Sequence, residues 1–421
     1  MPTDLQVADP SALGFDPVRL QRIDEFIRTR YLDTGLYPGF TLLISRRGEI
    51  AHLSTQGHRS VERAEPMTVD TLVRIFSMTK PITSVAMLAL YEEGLYRLED
   101  PVSMFIPSFS DLRVWEDGNP DNFTTSFPER EMIVRDLFTH TSGLTYGFMK
   151  RHPVDSMYRR RGIDGGGAKL DDWVESLAEI PLVFSPGSQW SYSVATDVLG
   201  RLVEVISGLP FDQFLSERIF QPLGMTDTSF AVGDDDADRL ASLYTVPSMS
   251  PFPVPEGAEG DDKLLLDDSG PDSQYRRPPL FLSGGGGLVS TVGDYHRFTQ
   301  MLLGGGALDG QRVLGRKTIE YATSNHLPGG GDLASMGQAV FSETTYEGIG
   351  FGLGFSVVLD PAAAQVITSP GVYGWGGAAS TLFWIDPDEE LAVVGLTQLL
   401  PSSAYPIREE LRPLVYSALV D

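Results

Sequence analysis

The chain has 421 residues, of which 42% are apolar and 21% charged, a composition typical of a globular protein with a large core rather than of a disordered chain. Its net charge of −25 argues against nucleic acids and anionic membranes as partners, because both bind basic surfaces. The chain contains no cysteine, which excludes disulfides, thiolate catalysis and cysteine-ligated metals.

The start of the chain and its apolar runs bear on secretion and membrane insertion. The first residues lack a basic stretch followed by an apolar one, so we expect no secretory signal. No apolar run approaches the roughly 18 residues that a membrane-spanning helix needs. The sequence therefore predicts a cytoplasmic protein that makes no membrane contact.

The amino-terminal region predicts a helix, a hairpin and a second helix. Asp16 and Pro17 are typical of a helix start, and apolar residues follow at helical spacing to residue 32. Residues 40–57 predict two strands joined by a turn at Arg47-Gly48. The second helix is predicted over residues 77–95.

The middle of the chain, from about residue 100 to 280, alternates short helical patterns with loops rich in proline, glycine and aspartate. Helices are predicted in 128–143, 167–180 and 211–225. Residues 248–280 predict a long irregular excursion over the surface.

The carboxyl-terminal region returns to strands. A helix is predicted over 292–305, strands over 351–360, 380–388 and 391–398, and a last helix over 405–420. Strands at both ends and helices between them predict an α+β protein. We expect one α/β domain with an antiparallel sheet, formed by residues 1–95 and 284–421, and a mainly helical domain formed by residues 96–283.

Ser77 and Lys80 stand three positions apart at the start of the predicted helix 77–95. Such positions share one helix face, with Cβ atoms about 5–6 Å apart, so hydroxyl and amine come within reach of each other. Pro81 fits only in a first helical turn, which places Ser77 where free N–H groups favour negative charge. A lysine can activate a serine nucleophile, but Ser77 could equally be a simple N-cap.

Two further stretches have both ordinary and functional interpretations. Tyr192 stands at the entrance of a predicted helix, where a tyrosine is ordinarily a packing residue or a cap partner. Gly376 and Gly377 precede Ala378 and a hydrophobic strand. A glycine pair at a strand indicates either an ordinary turn or the close approach of a ligand or another backbone.

Taken in order, five motifs resemble the serine β-lactamase and penicillin-binding superfamily, especially its class C branch and, within it, the family VIII carboxylesterases. The motifs are SMTK at 77–80, LFTHTSGL at 137–144, SYSVATDVLG at 191–200, QPLGM at 221–225 and WGGA at 375–378. The resemblance spans nearly the whole chain. It implies the β-lactamase-like fold, an antiparallel sheet flanked by helices plus a helical domain, with the active site at the domain junction.

The resemblance also implies roles for single residues. Ser77 matches the family nucleophile, Lys80 its basic partner and Tyr192 the tyrosine that hydrogen-bonds the nucleophile. The backbone N–H groups of Ser77 and Ala378 match the oxyanion hole. Whether Lys80 or Tyr192 is the resting base stays open.

Two departures from β-lactamases lead to an expectation about the substrate. Val194 replaces an asparagine that holds the acylamino group, and Trp375 replaces a cation that pairs with the β-lactam carboxylate. An apolar wall does not hold a carboxylate, so we predict a cofactor-free serine esterase acting on small carboxylic esters through an acyl-serine. The alternatives are an acyltransferase with the same acyl-enzyme, or a weak β-lactamase. The predicted substrate-binding residues are Trp375, Gly376, Gly377, Val194 and Phe148.

Other chemistries have little support in the sequence. No serine lies in a GxSxG motif, and the six histidines have no metal-ligand spacing, so no metal site is predicted. His140 is interpreted as structural, and Asp197 as part of a solvated helix face. A small ester is the only partner expected, and the sequence leaves the oligomeric state open.

Overall fold

A large antiparallel sheet forms the centre of the computed structural model, which describes residues 5–165, 167–254, 264–337 and 346–421. Within these ranges the sheet order is β4-β5-β6-β7-β8-β1-β2-β3, so strands from both ends of the chain meet where β8 pairs with β1. The strands are β1 (Gly39–Arg46), β2 (Glu49–Ser60), β3 (Glu65–Pro66), β4 (Ile349–Phe351), β5 (Ser356–Val358), β6 (Tyr373–Gly376), β7 (Leu382–Asp386) and β8 (Leu391–Leu396).

Both faces of the sheet are covered, because its central strands are apolar on each side. In β1, Leu42 and Ile44 pack in one hydrophobic cluster with α1 (Pro17–Ile27) and α12 (Ile407–Ser417), whereas Leu43 packs in the other with α2 (Thr79–Glu92). The helices are α1 (Pro17–Ile27), α2 (Thr79–Glu92), α3 (Val134–Phe138), α4 (Pro153–Arg161), α5 (Leu170–Ala178), α6 (Ala195–Ser207), α7 (Phe211–Leu215), α8 (Gln221–Leu223), α9 (Val292–Leu303), α10 (Arg316–Ala322), α11 (Leu333–Met336) and α12 (Ile407–Ser417).

Helix α2 is the element that brings the sheet and the middle of the chain together. Its residues are buried without interruption from Thr79 to Leu90, and it packs against α6 as well as sharing a cluster with β1. A helix that is apolar all round is a core helix. The predicted helix over 77–95 is confirmed, with a 3-10 turn at Phe76–Met78 before it.

Most predicted elements are confirmed, including the first helix, the hairpin β1–β2 and the last helix. The prediction over 128–143 was too long, since the helix there is α3 alone. The preceding residue, Ile133, is extended and bridges to Pro101, and His140 has a left-handed backbone with φ +56° that stops the helix. The strand predicted over 351–360 is two strands, β4 and β5, because Gly354 turns the chain with φ +97°.

Residues 255–263, inside the predicted irregular excursion, lie outside the described ranges. Short strand pairs that the sequence did not predict occur outside the main sheet. The pairs are Val114–Asn119 with Asn122–Ser126, Leu399–Leu400 with Leu243–Thr245, Leu243–Thr245 with Leu265–Asp268, Val73–Arg74 with Val289–Ser290, and Ala307–Leu308 with Gln311–Arg312.

The helices α3–α8 all come from the middle of the chain, as expected for a helical unit inserted between the two ends. The boundaries of the two domains at residues 95 and 284 stay a prediction. In the described part of the chain, every helix is too short or too polar to cross a bilayer.

Candidate active site

Ser77 lies in the 3-10 turn that leads into α2. The residue before it, Phe76, has a left-handed backbone with φ +43°, which is uncommon for a residue with a side chain and is kept only where the surroundings enforce it. Ser77 therefore stands at the start of a buried helix, as predicted, and its side chain is only half-buried.

Lys80 and Tyr192 converge on the Ser77 hydroxyl. The Tyr192 hydroxyl oxygen lies 2.6 Å from Ser77 Oγ, and Lys80 Nζ lies 3.3 Å from the same atom. The Lys80 ammonium also lies 4.5 Å from the centre of the Tyr192 ring. The i, i+3 spacing thus places Lys80 beside Ser77, and the fold brings Tyr192 to the same point.

The amine of Lys80 is buried and surrounded by acceptors. Besides Ser77 Oγ, it donates to the Tyr146 hydroxyl at 2.9 Å and to the Gly285 carbonyl at 2.7 Å. An ammonium has three N–H donors and can donate to all three neighbours at once. The sequence analysis missed Tyr146 and Gly285; the only signal for Tyr146 is its place two residues after LFTHTSGL.

Asp197 corrects one expectation. It was interpreted as part of a solvated helix face, but its side chain is buried and accepts hydrogen bonds from Ser283 Oγ at 2.6 Å and Gly285 N at 2.9 Å. Burial raises the pKa of Asp197 above its usual range, and the Lys80 charge opposes that shift. Asp197 therefore holds the loop whose carbonyl faces Lys80.

His140 lies behind the site and is fully buried. Its Nδ1 lies 3.1 Å from Ser193 Oγ, and its ring packs 4.9 Å from the centre of the Tyr192 ring. Burial, reinforced by the Lys80 charge, lowers the pKa of His140 well below its usual range. It makes no hydrogen bond to Ser77, which agrees with the structural interpretation of this residue.

The glycine pair at the end of β6 is explained by close approach rather than by turn geometry. A Cβ on Gly377 would lie 2.3 Å from the Ile75 carbonyl oxygen, and one on Gly376 would lie 2.5 Å from the Arg408 guanidinium carbon. The collision at Gly377 is with backbone, which has little room to move, whereas the collision at Gly376 is with the end of a side chain. Gly377 thus lets β6 pass beside the segment that carries Ser77, and Gly376 leaves room for Arg408.

A cavity of about 800 Å³ opens above Ser77. Aromatic side chains form much of its wall, which makes the site suited to uncharged groups. Phe148 stacks on Tyr146 with ring centres 4.6 Å apart. The other predicted residues that line the same cavity are Tyr192, Val194, Trp375, Gly376, Gly377 and Ala378.

Trp375 does more than provide an apolar surface. Its indole Nε1 lies 3.4 Å from the Tyr192 hydroxyl oxygen and is directed to donate a hydrogen bond, and the two ring centres are 5.5 Å apart. Among the described residues, no three histidine, aspartate or glutamate side chains are placed to hold a metal ion. The site is thus a serine, an amine and a phenol in an aromatic cavity.

A family model described as Beta-lactamase matches residues 27–416. The chain belongs to the β-lactamase family. The predicted resemblance and the predicted α+β fold are thereby confirmed, and β-lactamase-family relatives supply the comparisons that follow.

Three relatives illustrate what the chain is similar to. Esterase EstB of Burkholderia gladioli is 32% identical over 433 residues, which cover 97% of this chain and 98% of the relative. Monacolin J acid methylbutanoyltransferase of Aspergillus terreus is 29% identical over 369 residues, 84% of each chain. The solved structure of EstCE1, described as a hydrolase with promiscuous acyltransferase activity, is 27% identical with a TM-score of 0.76 and covers 97% of this chain and 99% of that one.

Proposed function

We propose that the chain is a serine esterase that hydrolyses small carboxylic esters through an acyl-Ser77 intermediate. The observation that carries the proposal is the convergence of the Tyr192 hydroxyl and the Lys80 amine on Ser77 Oγ, at 2.6 and 3.3 Å, beside an aromatic cavity. Membership of the β-lactamase family and similarity to EstB support the same chemistry.

Tyr192 is the proposed base for Ser77. Lys80 lies within hydrogen-bond distance of Ser77 Oγ, the Tyr146 hydroxyl and the Gly285 carbonyl, and its proposed role is that of an ammonium that donates to them. The Tyr192 oxygen lies 2.6 Å from Ser77 Oγ, within reach of the serine proton, and receives the Trp375 indole N–H.

The reaction then has two balanced halves. Ser77 Oγ attacks the acyl carbon and its proton passes to the Tyr192 oxygen; the tetrahedral intermediate expels the alkoxide, which takes that proton. Water next attacks the acyl-Ser77 carbonyl and gives a proton to the Tyr192 oxygen. The tetrahedral intermediate then expels Ser77 Oγ, which takes that proton from Tyr192, and the free acid is released. In both halves the N–H groups of Ser77 and Ala378 are proposed to hold the oxyanion.

The cavity favours uncharged esters over β-lactams. Trp375 places an indole where a carboxylate partner would be needed, and Val194 offers no amide to an acylamino group. A carboxylate that loses water without gaining a partner is strongly disfavoured. An alkoxide is also a better leaving group than an amine, so ester cleavage needs less help from the site.

Replacement of the nucleophile tests the proposal. Ser77→Ala should abolish turnover of p-nitrophenyl butyrate while the circular dichroism spectrum stays unchanged. Ser84→Ala is the matched control, because Ser84 is a buried serine on α2 whose hydroxyl has no partner among the described residues. Full activity in a folded Ser77→Ala variant would remove the proposed nucleophile.

Acyl transfer is a second candidate, because EstCE1 is described as a hydrolase with promiscuous acyltransferase activity. An alcohol would then replace water in the second half of the reaction. Product analysis during ester turnover in the presence of a competing alcohol separates the two. Free acid as the main product at low alcohol concentration favours the esterase, and transester as the main product favours the transferase.

A further inference from the structure

Arg408, in the first turn of α12, reaches over the sheet to the turn after β6. Its Nη2 donates to the Gly377 carbonyl oxygen at 2.8 Å and to the Thr381 carbonyl oxygen at 3.0 Å. Among the described residues no carboxylate forms an ion pair with this guanidinium, and its buried Nε has no partner. A half-buried cation directed at two carbonyls needs an explanation, because carbonyls are weaker partners than carboxylates.

The Gly377 carbonyl and the Ala378 N–H belong to the same peptide unit. This peptide bond is trans, so its N–H points to the side opposite the carbonyl. Because Arg408 lies on the carbonyl side, the Ala378 N–H points away from the guanidinium. Ala378 lines the cavity together with Ser77 and packs in one cluster with Phe76.

We propose that Arg408 is a positioning residue for the oxyanion hole, acting through the Gly377–Ala378 peptide. The guanidinium fixes the plane of that peptide and withdraws electron density from its carbonyl. A peptide whose carbonyl receives a charge-assisted hydrogen bond is a stronger N–H donor. The proposal rests on the proposed function, since it needs Ala378 to donate to an oxyanion.

Two further features of the turn after β6 favour its contact with Arg408. Gly377 N donates back to the Thr381 carbonyl at 2.9 Å, so Arg408 and the turn share one acceptor. Gly376 leaves room for the guanidinium, since a Cβ there would lie 2.5 Å from the Arg408 Cζ. The sequence around Ala378 thus accommodates Arg408 as well as the oxyanion.

Three variants test the proposal with a neutral ester. Arg408→Gln should lower kcat about tenfold to a hundredfold, less than loss of a whole oxyanion donor, with KM within about twofold. Arg408→Lys keeps a cationic donor and should recover part of that loss. Arg412→Gln is the control, because Arg412 lies one helical turn further along α12 but contacts Thr368 and Trp384 instead of the turn.

Inhibition by a trifluoromethyl ketone distinguishes this role from simple support of the fold. The ketone forms an oxyanion adduct on serine, so its inhibition constant should rise by the factor by which kcat/KM falls. A fluorophosphonate should still label Arg408→Gln stoichiometrically, though more slowly. A kcat equal to that of the wild type, a loss confined to KM, or equal losses in Arg412→Gln would overturn the proposal. Absence of labelling in the wild-type protein would instead contradict the proposed function.

Discussion

The two sides of the cavity above Ser77 differ in what they present to a substrate. On the side of α2 and α6, Ser77, Lys80 and Tyr192 form a hydrogen-bonded group backed by buried polar residues. On the side of β6, Trp375 presents a ring surface, and the polar groups are backbone atoms held by Arg408. In the proposed mechanism the α2 side carries the proton transfer, whereas the β6 side carries Trp375, which selects the substrate, and the second oxyanion donor, Ala378.

The largest effects are expected on the α2 side. Lys80→Ala and Tyr192→Phe should each lower kcat by about 10³, because each removes a group that moves or stabilises the proton of Ser77. The double variant should lose little more than either single variant, since residues acting as a unit are not additive. Tyr96→Phe is the control, because the hydroxyl of this buried tyrosine donates a hydrogen bond to the Met87 carbonyl of α2, two helical turns beyond Lys80. Losses that multiply in the double variant would show two independent roles.

The β6 side should control the choice of substrate. Trp375→Lys should raise the ratio of nitrocefin to p-nitrophenyl ester turnover about tenfold to a hundredfold, because a buried ionic hydrogen bond contributes about 1.5–3 kcal/mol. Trp375→Phe, which restores no cation, should leave nitrocefin turnover low. In the wild type we expect nitrocefin turnover orders of magnitude below ester turnover. Equal turnover of the two substrates by the wild type would contradict the proposal that Trp375 selects esters over β-lactams.

A smaller effect on the α2 side is expected from Tyr146. Tyr146→Phe leaves one N–H of the Lys80 ammonium without its acceptor, which typically costs about 1–3 kcal/mol, or roughly tenfold in kcat. Burial raises the pKa of Tyr146, so the phenol is the form that accepts this hydrogen bond. Steady-state kinetics beside the Tyr96→Phe control measure the effect. Unchanged kcat would mean that Tyr146 contributes only packing.

The smallest effect concerns pH and stability. Because burial lowers the pKa of His140, only the unfolded chain binds a proton there as the pH falls below about 6.5. Above that pH the imidazole is neutral in both states and its titration does not affect stability. Below it, protonation of the unfolded chain lowers the free energy of unfolding by at most about 1.4 kcal/mol per pH unit. His140→Gln should show a shallower decrease between pH 6.5 and 5 in urea titrations. An equal slope would place a protonated imidazole in the folded protein.

The sequence predicted the parts of the site that local rules control. Pro81 confines the start of α2 to the vicinity of Ser77, and the i, i+3 spacing brings in Lys80. For the glycine pair before Ala378 the sequence left an ordinary turn and a close approach open, and it did not identify the neighbouring groups. Gly285 and Arg408 could not be predicted, because each meets the site through contacts distant in sequence that only the folded chain brings together.

The errors have the same origin. Asp197 has the spacing of an exposed helix residue, and only the packing of the 283–287 loop against α6 buries it. The helix over 128–143 had the right apolar pattern, but Ile133 is held extended by its bridge to Pro101. In both cases a tertiary contact overrode a local preference.

The intact mass of the protein after reaction with a fluorophosphonate tests the central claim most directly. We expect one adduct per chain, located on Ser77 by peptide mapping, with loss of ester turnover in proportion to labelling. Ser77→Ala should gain no adduct, and Ser84→Ala should label as the wild type does. Full labelling at another residue, or ester turnover that survives complete labelling of Ser77, would contradict an acyl-Ser77 mechanism.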